Sequence, residues 1–112
     1  MKPTQQQKDN KLIAEFMEWD ILNDMTYSKA TKGKWIELDK LKFHSNWNWL
    51  MEVVEKIESL NYSIEINKQE ENDYQCLVVQ KDIKVQTFSK IKIEAVYNAC
   101  VEFIKFYNEQ AK

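Results

Sequence analysis

The chain has no arginine: all 16 of its basic residues are lysine. The planar guanidinium fork is the usual device for gripping phosphates, carboxylates and guanine edges through two hydrogen bonds at once. Its absence argues against sequence-specific reading of DNA. Glycine is nearly absent too, with one residue, so loops that bring backbone amides close to phosphate are hard to build. No P-loop, dinucleotide-binding glycine motif, nucleophile elbow or kinase signature occurs. One histidine and two cysteines provide no paired-cysteine or HExxH spacing for a metal. No stretch approaches the ~20 apolar residues of a membrane span, and the opening MKPTQQQKDN holds no apolar run that would form the core of a signal peptide. These absences lead us to expect a cytoplasmic protein with neither cofactor nor metal, and no enzymatic activity.

What is present points to one folded unit. The 112 residues are 44% hydrophobic and 30% charged, a composition typical of globular domains, and a domain of this size buries roughly two thirds of its unfolded surface. No repeat or Pro-rich linker divides the chain, so 9–112 is expected to be a single domain behind a flexible segment, 1–8. Cys76 and Cys100 lie in apolar runs, as buried reduced thiols do. The net charge is −2, and the lysines form no basic stripe interleaved with aromatics, which leaves nucleic-acid binding unsupported. Glu70, Glu71 and Asp73 offer too few oxygens for a calcium loop and lack its turn glycine.

Hydrophobic period sets the elements. Leu12, Ile13, Phe16, Met17 and Trp19 share an arc at helical spacing, predicting a helix over 9–20 with Asp9 or Asn10 as N-cap. Residues 21–32 have no clean period and read as a connection, followed by a short strand at 35–38. In FHSNWNWLMEVVEKIESL, a helix over 47–60 places Leu50, Val53, Val54 and Ile57 at the centre of one face, with Ser45 or Asn46 as cap. Trp49 and Leu60 fall on one flank of that face, Trp47 and Met51 on the other. Alternation predicts strands at 62–67, 74–80 and 83–88 in an antiparallel meander, with a loop at 68–73. Ile93, Val96, Tyr97, Cys100, Phe103, Ile104 and Tyr107 predict a helix over 91–109. The result is an α+β domain of order α-β-α-β-β-β-α, a small, mostly antiparallel sheet packed with three amphipathic helices.

Three segments, NKLIAEFMEW, FHSNWNWLMEVVEKIESL and KIEAVYNACVEFIKFYNE, resemble in order and spacing a family of small phage and prophage proteins with the phage ABA sandwich domain. The most specific part is His44-Ser45-x-Trp47-x-Trp49-Leu50-Met51. The resemblance implies an α/β/α sandwich and a setting inside a bacterial host, and it brings no catalytic residues. The solvated character of Glu65, Lys84 and Gln86 implies instead that only one sheet face is covered, and both layer counts stand open here.

His44 is the one candidate general base or ligand, and without a supporting cluster it reads as a structural or exposed residue beside the helix cap. Trp47 with Met51 forms an apolar shelf suited to a partner, since Trp and Met are favoured at binding surfaces. Phe106, on a side of the last helix near Ala95 and Ala99, is either packed inside the chain or part of a homodimer contact. Two functions follow as expectations. The first is an accessory protein that binds a host or phage protein through Trp47, Met51 and Phe106, as a monomer or homodimer. The second is a nucleotide-sequestering protein acting against host defence, in which Trp, Tyr and Lys would hold the ligand.

Overall fold

A computed structural model describes residues 4–22, 25–27, 34–37, 40–70, 73–81 and 83–110. Expectations placed on residues 1–3, 23–24, 28–32, Leu38, 71–72, Asp82 and 111–112 fall outside this set. The elements are α1 (Gln5–Phe16), β1 (Asp20–Leu22), β2 (Met25–Tyr27), β3 (Ile36–Glu37), α2 (Trp47–Ser59), β4 (Ser63–Glu70), β5 (Asp73–Gln80), β6 (Ile83–Ser89) and α3 (Lys92–Gln110). Both sheets are antiparallel and three-stranded among the described residues, in the orders β1-β2-β3 and β4-β5-β6. The protein is thus an α+β domain, as its sequence pattern predicts.

Several boundaries differ from expectation, each for a local reason. The first helix starts at Gln5, within the segment expected to be flexible, and neither Asp9 nor Asn10 caps it. Thr4 does so through a capping box: its hydroxyl accepts from the Gln7 amide at 3.1 Å, and the Gln7 side-chain oxygen accepts from the Thr4 amide at 2.8 Å. The same helix ends at Phe16 rather than at the expected 20, and β1 and β2, strands of three residues each at 20–22 and 25–27, occupy positions expected to be the end of that helix and a connection, being too short for alternation to register. The predicted loop at 68–73 is mostly strand, because β4 runs on to Glu70 through a register shift between Lys68 and Glu70.

Helix α1 ends in a Schellman motif: the Trp19 amide donates to the Ala14 carbonyl and the Glu18 amide to the Glu15 carbonyl, both at 3.0 Å. This turn needs a left-handed residue, and Glu18 supplies it at φ 62. Asn61 does the same after α2 at φ 71, and Lys81 after β5 at φ 48. The start of α2 is capped by Asn46, whose side-chain oxygen accepts from the Asn48 and Trp49 amides.

The core joins Ile13 and Ala14 of α1, Leu50, Val53 and Ile57 of α2, Cys76 and Val78 of β5, and a long face of α3 centred on Cys100 and Phe103. Leu41 and Phe43, in the lead-in to α2, are buried as well. Cys76 and Cys100 are free, buried thiols. Helix α3 lies on the sheet face that carries Cys76 and Val78, and the Thr87 hydroxyl of β6 donates to the Ala95 carbonyl at 2.7 Å. On the opposite face Glu65, Lys84, Gln86 and Phe88 are exposed. Among the described residues, helices cover one face of the β4–β6 sheet and none covers the other.

Candidate functional site

The residues singled out in the sequence separate into a surface shelf, a core ring and a polar cleft. Trp47 and Met51 stand one turn apart on the same edge of α2, 38% and 40% exposed. Trp49 takes the other course. Its ring meets Trp19 at 5.8 Å and Phe43 at 5.4 Å, edge to face, and Trp19 in turn meets Phe43 at 5.1 Å. The two neighbouring tryptophans therefore divide into one that holds α2 against the chain around Trp19 and one left at the surface. Phe106 is half-buried on α3, outside the residues packed on the core, and no ring contact joins it to Trp47. Ala95 and Ala99, the small residues beside which a dimer partner had been an option, are fully buried within their own chain.

The polar cleft opens between α1, the turn before α2 and the first turns of α3. It has a volume of about 630 Å³, and its lining includes Asp9, His44, Ser45, Glu94, Tyr97 and Asn98. Its floor rests on Asn10, 2% exposed. The Asn10 amide nitrogen reaches the Leu41 carbonyl at 3.5 Å and His44 Nδ1 at 3.2 Å, and its oxygen accepts from the Tyr97 hydroxyl at 3.0 Å. With the carbonyl fixing which end of the amide is the donor, His44 Nδ1 must be the acceptor, and the ring proton lies on Nε2. Burial lowers the His44 pKa, which favours this neutral form. Burial, reinforced by the negative charge of Asp9, pushes the Tyr97 hydroxyl well above its ordinary range, so it stays a donor. Asp9 is paired with Lys105 of α3 at 4.0 Å.

Sequence periodicity passed over this network, since Asn10 is 34 residues from His44 and 87 from Tyr97. One signal was available: Asn10 precedes Ile13 and Ala14 by three and four positions, which puts a polar side chain on the apolar arc of α1.

A folded-state pKa below the usual 6.5 makes His44 a source of acid lability. Its contribution to stability is complete above the unfolded value and is lost as the pH falls below it and through the folded value, because the unfolded chain binds the proton more readily. The expected result is a steeper fall in Tm between about pH 7 and pH 5 for the wild type than for His44→Asn. Thermal melts across that range measure the difference.

Chemically, the cleft offers hydrogen-bond acceptors, one imidazole that presents its N–H, and no lysine in its lining. Burial raises the Cys76 thiol to about 11, and Cys100 is shifted the same way. Neither is a ready nucleophile. Among the described residues no group of three His, Cys, Asp or Glu is placed to hold a metal ion, and no helix is long and apolar enough to cross a membrane.

The architecture is that of a small α+β protein with one helix-covered sheet, and it is shared with a phage protein. The likeness is to a phage protein from Bacillus cereus ATCC 14579, seen in a crystal structure at 2.0 Å, with a TM-score of 0.61 and 20% sequence identity over 90% of this chain and 93% of that one. At this identity the likeness is one of fold. No family model matches the chain, and no curated protein matches it.

Proposed function

We propose that this is a non-enzymatic phage or prophage accessory protein, which works in the host cytoplasm by binding another protein through the Trp47–Met51 shelf. The observation that carries this reading is the separation of the paired tryptophans. Trp49 is committed to the core, while Trp47 and Met51 keep more than a third of their surface exposed on one helix edge. Large, semi-rigid apolar side chains of this sort are the usual anchors of protein interfaces. Half-buried Phe106 is a separate, secondary candidate.

The cleft supports the non-enzymatic side of the reading. A general base needs an unprotonated nitrogen turned toward its substrate, and Asn10 engages the one bare nitrogen of His44. Nucleotide sequestration gains no support from the cleft, whose lining has the carboxylates of Asp9 and Glu94 and no lysine.

The test is affinity capture from infected host cells with wild-type protein and with the Trp47→Ser/Met51→Ser double variant. The variant is expected to remain folded, within about 1 kcal/mol of wild type, because both side chains are already substantially exposed. It is expected to lose its partner by a factor of ten or more. An unchanged set of captured proteins would overturn the assignment.

A further inference from the structure

The open face of the β4–β6 sheet is amphipathic in a particular pattern. The register sets Glu65, Leu77 and Gln86 in one row across the three strands, and Val79 and Lys84 side by side in the next. Leu77 and Val79, on the central strand, are half-buried with no helix above them among the described residues, and Phe88 on the β6 side is 54% exposed. The two charges lie on opposite edges, Glu65 on β4 and Lys84 on β6. Their backbones are about 12 Å apart, from two strand spacings across and two residues along, and both side chains project away from the same sheet face rather than toward each other. Among the described residues neither forms an ion pair.

We infer that this face is the contact surface for a second copy of the chain, packed sheet on sheet about a two-fold axis parallel to the strands. Such an axis lays β4 of one copy over β6 of the other and brings Leu77 against its own symmetry mate. Glu65 then lies over Gln86 of the other copy, two residues along that strand from Lys84, within reach of the long lysine side chain at a sheet separation of ~10 Å. Symmetry forms this pair twice. The charges that stay unpaired in one protomer project toward each other in two, around an aliphatic centre that a monomer leaves partly wet. The inference is independent of the Trp47–Met51 shelf, which is on a helix rather than on this face.

Sedimentation equilibrium over a range of protein concentrations tests it. The wild-type chain is expected to show a monomer–dimer equilibrium, and Leu77→Glu to be monomeric. Glu65→Lys and Lys84→Glu alone should each weaken the dimer by tenfold or more, since each turns two attractions into two repulsions, and the combined exchange should restore it. The exchange also keeps the test decisive if Leu77→Glu does not fold, because both charged residues are exposed. A monomer at every concentration would overturn the inference. So would a dimer indifferent to Leu77→Glu, one lost instead with Trp47→Ser, or a failure of the exchange to restore association.

Discussion

Phe103→Ala is expected to lower the unfolding free energy by about 4 kcal/mol, the upper part of the range for truncating a buried phenylalanine. Phe103 has no exposed surface and is the ring through which other aromatic side chains are joined. It meets Tyr62 at 4.6 Å and Phe16 at 6.2 Å, both edge to face, and Tyr107 at 5.8 Å. Truncation removes the transfer free energy of the ring, leaves a cavity that helices on both sides cannot easily close, and takes away contacts worth about 0.5–1.5 kcal/mol each. A domain stabilised by about 5–15 kcal/mol in total would be left close to its limit. Urea denaturation should show a lower midpoint at unchanged slope. Phe88→Ala is the contrast, because that ring is mostly in solvent and its loss should cost under about 1 kcal/mol.

Asn10→Leu should cost about 3 kcal/mol for a different reason. The side chain keeps its branching and its number of heavy atoms, so no cavity forms, but His44 Nδ1 and the Leu41 carbonyl lose their shared partner and the Tyr97 hydroxyl keeps only the Gln6 carbonyl at 3.5 Å. Each polar group left unpaired in the interior costs about 1–3 kcal/mol, whereas removing both members of a bonded pair is close to neutral. Adding Tyr97→Phe to Asn10→Leu is therefore expected to recover part of the loss, and a double-mutant cycle by denaturant unfolding measures the coupling. If the two substitutions simply add, the amide does not tie α1 to α3 in the way its geometry implies.

The parts of this fold that were legible in the sequence are those in which burial imposes a long period. Helix α3, with Val96, Cys100, Phe103 and Ile104 on one face, and the β4–β6 meander, with Cys76 and Val78 inward and Leu77 and Val79 outward, leave patterns of several repeats. Strands β1 and β2 are too short to repeat anything. The start of α1 is polar, and only the Thr4–Gln7 capping box announces it. The shelf was partly legible, since the ~200° between Trp47 and Trp49 on a helix prevents both from facing the core. Which of them is buried depends on Trp19 and Phe43, whose proximity to Trp49 is a matter of tertiary packing. The Asn10 network was hidden for the same reason.

The scarcity of glycine returns at the turns. Glu18 and Lys81 hold left-handed backbone that side chains with a Cβ disfavour by about 1 kcal/mol or more, while Asn61 is of a type that tolerates it better. The chain thus keeps its turns in residues that strain them, and its fold has headroom: a glycine at either position would relieve a local cost without touching the core, the cleft, the shelf or the open sheet. That unused reserve is what a lineage, or an experimenter, can draw on when a change at one of those surfaces would otherwise bring the protein below the stability it needs.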